Sequence, residues 1–334
     1  MDLRKIHLAS YKAQKDAAEK TRAEAGDALR GGNAGVILPG TDNLTAGSCP
    51  RVAFLRHLGI EEQIPDNRRI MFELGNANEQ VWTDRLHLIF PENQLRREEE
   101  IQVRYKLKSG REVTGRPDIV ILDKPDGKPH IGIENKSVSS VWTARGVAFE
   151  NEPKFVHMVQ ALHYMHHLGL SSYYLAYTSY VDWAIPFGNL GNSFPEWGKP
   201  GSEMCEYRYD PKKDEYRKLK VLPFHKLFQL RFNESGDCAE YSHDDRTWTP
   251  TPITLGNITA YYELVDTLVR GEAEELPPRP LTLKADGGKA PYSNCGYCVF
   301  NDVCTSEESA KGTKDQWDIQ RWVDECRLVV GGSD

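Results

Sequence analysis

The 334-residue chain has no apolar run near membrane-spanning length, and Met1-Asp2-Leu3-Arg4-Lys5 lacks the apolar stretch of a secretory signal. These absences argue against a membrane partner and make a cytoplasmic location the expectation. In that compartment thiols stay reduced, so the seven cysteines are expected to be ligands or core residues, not disulfides. An excess of positive charge is also missing. The net charge of −7 does not advertise a nucleic-acid binder. It does not exclude one either, because a cluster of metal-binding carboxylates subtracts from the sum and a groove needs only local positive charge. No internal repeat or low-complexity block is present. What remains is an ordinary globular composition, 27% charged and 10% aromatic, long enough for one large domain or two modest ones.

Residues 9–30, rich in Ala, Lys and Glu, read as an exposed helix ending at Gly31-Gly32, followed by a Gly/Thr/Asn-rich loop to Ser48. A short helix is expected over Val52–Leu58 and a long one over Arg68–Phe90. Strands with tight turns follow over Lys106–Lys136, then a helix over Pro153–Gly169 and a strand over Ser172–Thr178. Cys205–Tyr209 and Tyr216–Leu222 read as a hairpin, and Ile258–Leu268 as an amphipathic helix. Helices alternating with strands predict an α/β core with a mixed sheet.

Two short strands carry the most chemical information. Gly115-Arg116-Pro117-Asp118-Ile119-Val120-Ile121-Leu122 is separated by a Pro/Gly turn from Ile131-Gly132-Ile133-Glu134-Asn135-Lys136. Pro-Asp followed, about fifteen residues on, by Glu-x-Lys is the pattern with which metal-dependent nucleases hydrolyse phosphodiesters. Strand alternation puts Glu134 and Lys136 on one face and turns Asn135 to the other, with Ile131 and Ile133. A hairpin would bring Asp118 and Glu134 together, where they repel unless a cation sits between them. Hard oxygen ligands favour Mg²⁺ or Mn²⁺, which would polarise a phosphoryl oxygen and acidify a bound water, with Lys136 beside it. The competing reading is a pair of solvated strand-end carboxylates with a routine ion pair to Lys136.

On the long helix, Ile70, Leu74, Ala77, Val81 and Leu88 share a face. Glu79 lies on the opposite side, flanked by Phe72, Trp82, Leu86 and Phe90. Apolar residues on two faces predict a sandwiched helix, in which Glu79 needs a cation or hydrogen-bond partner. Gly75, one turn earlier, leaves room for a close approach; the alternative for Glu79 is a partly exposed pair with an arginine. On the helix after Pro153, Phe155, Val159, Leu162 and Met165 form the expected buried stripe. Gln160 and Tyr164, four apart, project from the other face. The histidines His157, His163, His166 and His167 read as solvated, since no carboxylate follows in a metalloprotease pattern.

Near the C-terminus stands a C-x2-C-x5-C cluster, Cys295, Cys298 and Cys304; Cys49, in Ser48-Cys49-Pro50-Arg51, is the candidate fourth ligand. Four thiolates suit an iron–sulfur cluster or Zn²⁺ and would join the early and late segments of the chain. Incidental buried thiols are the alternative. Cys205, Cys238 and Cys326 read as small core or incidental residues.

Taken together, these motifs resemble the RecB-like branch of the PD-(D/E)XK nuclease superfamily, in particular members with a four-cysteine [4Fe–4S] cluster: the CRISPR-associated exonuclease, the AddB nuclease domain and related phage exonucleases. Cys49-Pro50-Arg51, Gly75-x-x-x-Glu79, Gly115-Arg116-Pro117-Asp118, Glu134-Asn135-Lys136, Gln160-x-x-x-Tyr164 and Cys295/Cys298/Cys304 occur in family order. Glu79 departs from the family pattern, where His is frequent, which leaves the metal preference open.

The resemblance implies a restriction-endonuclease-like core, a central mixed β-sheet flanked by helices, spanning residues 49–304. An insertion is expected at about 180–251, with an N-terminal helix and loop over 1–48 and a C-terminal helical tail over 305–334. It implies a Mg²⁺- or Mn²⁺-dependent DNA exonuclease acting on single strands or DNA ends. Glu79, Asp118, Glu134 and the Asn135 carbonyl would hold the metal, Lys136 would activate water, and Gln160 and Tyr164 would orient Lys136 or the phosphate. Arg116 would contact flanking phosphates. Cys49, Cys295, Cys298 and Cys304 would hold a [4Fe–4S] cluster or, alternatively, Zn²⁺. The expected setting is recombination, replication or phage DNA metabolism, with proteins of those processes as partners. The alternatives are a CRISPR-adaptation nuclease trimming spacer precursors and an inactive DNA- or partner-binding module.

Overall fold

A computed structural model describes residues 26–331, apart from 39–43, 61–65, 98–99, 139, 149, 181–182, 187–204, 211–214, 222, 237, 274–275, 278, 281–297 and 306–318. The centre is a seven-stranded mixed sheet. Its strands are β4 (Leu95–Arg97), β7 (Ile119–Leu122), β8 (Pro129–Ser137), β9 (Ser172–Ser179), β13 (Phe224–Phe232), β14 (Ala239–Ser242) and β15 (Thr249–Pro250), in the spatial order β15-β14-β13-β9-β8-β7-β4. Neighbours are antiparallel except β8 and β9, which are parallel. Parallel neighbours require a crossover, supplied here by α3 (Val141–Ala148) and α4 (Phe155–Leu168).

The sheet is apolar on both faces. All four residues of β7 are buried, alternating between two cores. On one face Val120, Leu122, Tyr173, Leu175, Tyr177, Phe228 and Leu230 pack with Met158, Val159 and Leu162 of α4. On the other, Ile119, Ile121, Ile133 and Ala176 pack with Trp82 and Leu86 of α2 (Asp66–His87) and with Phe90 just beyond it. Helix α4 stops where Gly169 takes a left-handed φ of 63° and returns its N–H to His166 and Met165 carbonyls. The β7–β8 turn closes on Asp126, at φ 53°, and on the Gly127 N–H to Lys124 carbonyl bond of 2.9 Å.

Three smaller sheets surround this core. β1 (Leu29–Arg30) lies parallel to β6 (Glu112–Gly115), which pairs with β5 (Val103–Lys106). β2 (Gly35–Ile37) and β3 (Thr45–Gly47) form a hairpin against which α5 (Leu255–Val269) packs; Thr254 caps α5 by accepting from the Asn257 N–H at 3.1 Å. β10 (Trp183–Pro186), β12 (Glu215–Val221) and β11 (Cys205–Asp210) form the third sheet, in which the expected β11–β12 hairpin is present. A second small core joins Phe54 and Leu55 of α1 (Pro50–His57), Phe300 and Cys304 of or beside α6 (Asn301–Thr305), and Trp322, Val323 and Cys326 of α7 (Ile319–Gly331).

Several expectations are overturned. Leu29–Arg30 is a strand, so no helix runs to residue 30; residues 9–25 lie outside the described residues. The loop over 32–48 contains the β2–β3 hairpin. Within the segment 180–251, strands β13 to β15 pair into the central sheet, β13 on β9. The C-terminal segment is helical over α7, and its Trp322 stacks on Phe54 at 6.4 Å. Helix α2 is not sandwiched: Leu74, Val81 and Leu88 are exposed, Leu88 to 86%. The side chain of Ile70 is not described.

Candidate active site

The site forms where β7 enters its pairing with β8. Ile119 lies opposite Ile133, so Asp118, one residue before the strand, comes level with Glu134. Asp118 Oδ2 accepts the Asn135 N–H at 2.7 Å. Lys136 donates from Nζ to Glu134 Oε1 at 2.7 Å and to Gln160 Oε1 at 3.3 Å. Gln160 Nε2 reaches the Tyr164 hydroxyl at 3.5 Å. Asp118, Glu134, Lys136, Gln160 and Tyr164 thus stand together; Tyr164, expected on the face opposite the buried stripe, is itself 2% exposed and packs in the same core as Val159 and Leu162.

Two glycines make this approach possible. A Cβ on Gly115 would overlap the Tyr164 ring, and one on Gly132 would overlap the Tyr173 ring. The turn Gly31–Asn33 closes over the same corner: a Cβ on Gly32 would lie 3.7 Å from the Tyr164 hydroxyl, and Tyr262 holds the Gly31 carbonyl at 2.7 Å.

Electrostatically the site is unbalanced. Burial, and then the neighbouring Glu134 charge, push the Asp118 carboxyl well above the usual carboxylate range. Burial pulls the Lys136 ammonium down, but Glu134 and then Asp118 outweigh it and hold the ammonium above its ordinary value. Glu134 is 1% exposed. One cation therefore serves two buried carboxylates, a donor set that fits a divalent ion.

Glu79 Oε1 lies 3.8 Å from Arg97 Nη2, and its charge acts as a lesser influence on both Asp118 and Lys136. Among the described residues, no three His, Cys, Asp or Glu side chains stand close enough together to hold a metal ion. Glu79 is carried by α2, which packs on the other face of the sheet through Trp82 and Leu86. Arg116 sits half-buried before Pro117, and its backbone N–H holds the Tyr164 hydroxyl.

The histidines of α4 are not all solvated. His163 is 1% exposed and is kept neutral by burial. His157 Nδ1 lies 2.9 Å from the Tyr177 hydroxyl, which also accepts the Lys154 N–H at 2.9 Å. These residues are covered because α4 is packed by β2, β3, β5 and α5 as well as by the sheet.

Sequence reading missed Tyr173, whose hydroxyl donates to Glu134 Oε2 at 3.1 Å from a fully buried position. Alternation along Ser172–Ser179 puts Tyr173, Leu175 and Tyr177 on one face. That they look onto Glu134 follows only from the parallel register Gly132↔Tyr173 and Glu134↔Leu175.

At the second cysteine corner, Cys49 is the N-cap residue of α1. Arg51, 5% exposed, donates from Nε to the Pro277 carbonyl at 2.7 Å and from Nη1 to the Cys304 carbonyl at 3.4 Å. Burial raises the Cys49 thiol to about 11, with Cys304 adding to the effect. Cys326, expected to be a small core residue, is buried beside Cys304 and Cys298; burial raises it to about 12. Cys295 lies outside the described residues.

No family model matches the chain, and no curated protein matches it. Among solved structures, that of SSO0001 is 13% identical with a TM-score of 0.37, covering 88% of this chain and 97% of its own. An alkaline exonuclease from Laribacter hongkongensis is 11% identical with a TM-score of 0.32, covering 76% of this chain and 95% of its own. No described helix is long and apolar enough to cross a membrane.

Proposed function

We propose that the chain is a metal-dependent nuclease that hydrolyses phosphodiester bonds of DNA, as an exonuclease on single strands or DNA ends. The observation that carries this reading is the pair Asp118 and Glu134 at one corner of the sheet, Asp118 held by the Asn135 N–H and Glu134 by the Lys136 ammonium. Two carboxylates with a single cation leave negative charge uncompensated in a low-dielectric corner. Mg²⁺ or Mn²⁺ between them would supply that compensation and, when bound, polarise a phosphoryl oxygen and acidify water.

Asp118, Glu134 and the Asn135 carbonyl are the groups that would hold it, with Glu79 on α2 as an outer carboxylate. Lys136, tethered by Glu134 and Gln160, is placed to orient a water or to neutralise charge developing on the phosphorus-bound oxygens. Tyr164 and Gln160 hold that ammonium in line. Arg116 would meet the adjoining phosphate. The full chain, incubated with end-labelled single- and double-stranded DNA with and without Mn²⁺, should release product only with metal. Product that persists undiminished in Lys136→Ala would remove the assignment and favour a DNA-binding module.

We further assign Cys49, Cys295, Cys298 and Cys304 to a structural metal site, a [4Fe–4S] cluster. The buried Arg51 guanidinium, between Cys49 and Cys304, supports this, since it supplies positive charge where thiolates would gather. Anaerobic purification should give a brown protein with stoichiometric iron and sulfide. A colourless protein with one zinc would move the assignment to Zn²⁺.

A further inference from the structure

Glu134 is held at both of its oxygens. Lys136, two residues along the same strand, takes Oε1 at 2.7 Å. Tyr173, on the neighbouring parallel strand, takes Oε2 at 3.1 Å. Both donors are themselves fixed. Lys136 Nζ is also bound to Gln160, and the Tyr173 ring fills the space that the missing side chain of Gly132 leaves. Burial, and then the nearby Glu134 charge, hold the Tyr173 hydroxyl proton firmly.

A carboxylate anchored at two points by groups on two strands cannot rotate about its last torsion. Each of its oxygens has already given one lone pair to a donor. Such a group serves a metal through one oxygen and resists chelating it through both. Ca²⁺, with six to eight ligands, readily takes carboxylates through both oxygens, whereas Mg²⁺ and Mn²⁺ sites are octahedral and smaller.

We propose that Tyr173 sets the metal selectivity of the site: by fixing Glu134 at its second oxygen, it favours Mg²⁺ or Mn²⁺ over Ca²⁺. Tyr173 is thus a positioning residue acting through Glu134, and the proposal rests on the metal-dependent reading of this site. Groups that orient a metal ligand typically change metal affinity by about 10–100-fold when removed.

The experiment is Tyr173→Phe in the full chain, which keeps the ring in the Gly132 notch and removes only the hydroxyl. Mn²⁺ affinity is read without DNA from the paramagnetic resonance signal of free Mn²⁺, and Ca²⁺ affinity by competition. The expected result is a loss of about tenfold or more in Mn²⁺ affinity with Ca²⁺ affinity nearly unchanged, so that the Mn²⁺/Ca²⁺ ratio collapses. Phe228→Leu, on β13 and so separated from Glu134 by β9, loosens the same core and should leave the ratio in place. An unchanged ratio in Tyr173→Phe, or an equal collapse in Phe228→Leu, overturns the proposal. A wild-type chain that binds no Mn²⁺ overturns both this proposal and the nuclease reading. A wild-type chain that binds Mn²⁺ yet leaves DNA intact sinks only the nuclease reading, and the affinity ratio still decides the role of Tyr173.

Discussion

The two faces of the central sheet solve opposite problems. On the α4 face, charged groups are buried and made tolerable by one another: Lys136 by Glu134 and Gln160, Glu134 by Tyr173, Asp118 by the Asn135 N–H. On the α2 face the contact is apolar, Trp82 and Leu86 against Ile119, Ile121 and Ile133, and the carboxylate of Glu79 is left near the rim with Arg97. The difference teaches that α4 covers a site whose energy is electrostatic, whereas α2 is held by one apolar stripe. Changes on the first face should therefore move stability and chemistry together, and changes on the second should move stability alone.

The hardest strain on that contrast is Lys136→Met. It leaves two buried carboxylates without their cation, and breaking a buried pair in this way costs roughly 3–5 kcal/mol. Urea unfolding at pH 7 should show this loss, and metal-dependent DNA cleavage should vanish with it. Trp82→Ala should cost about as much, up to roughly 3–5 kcal/mol if the site cannot collapse. On the proposed reading its cleavage per folded molecule should stay near that of the wild type. A large fall in turnover at unchanged fold would break the contrast.

Asp118→Asn sharpens it from the other side. The Asp118 carboxyl is raised above its unfolded-state value by burial and by Glu134, so the folded state prefers it protonated. Stability from that preference is present below the unfolded pKa, near 4, and is lost as pH rises through the folded value. The asparagine variant, neutral throughout, should match the wild type near pH 3–4 and exceed it at pH 7 by about 1 kcal/mol or more, one pKa unit being worth 1.36 kcal/mol. It should cleave nothing. Equal urea midpoints for the two proteins at pH 7 would show that Asp118 is not held in an unfavourable charge state.

Gly132→Ala should cost about 1–3 kcal/mol, because the new methyl meets the Tyr173 ring and the strand must shift. Smallest of all, Val81→Ser, on the outward face of α2, and Leu88→Ser, just beyond its end, should fall within about 0.5 kcal/mol of the wild type in thermal unfolding.

The strand pair around Asp118 and Glu134 was legible because period-two alternation and a Pro/Gly turn are local features, written in consecutive residues. The Gln160 and Tyr164 spacing was legible for the same reason at period 3.6. The sandwiched reading of the Glu79 helix failed because the helix is apolar on two sides, and periodicity does not say which side finds a partner; Leu74 and Val81 turned outward while Trp82 turned in. His163 was misjudged because a polar ring at a helical position reads as solvated until β5 and α5 are known to cover it. Leu29–Arg30 carries too few residues for any period, and its parallel partner, Val113–Thr114, is far away in sequence.

By itself, the order of residues determined the chemistry on offer: an acid before one strand, an acid and an amine two apart on the next, and an amide and a phenol one helical turn apart. Those relations depend only on backbone repeat, which every residue shares. Tertiary structure alone decided which phenol meets Glu134 and which face of the sheet the helix of Glu79 covers. Both depend on the parallel register of β8 with β9 and on the side of α2 that turns inward, and these are fixed by packing between segments that are distant along the chain.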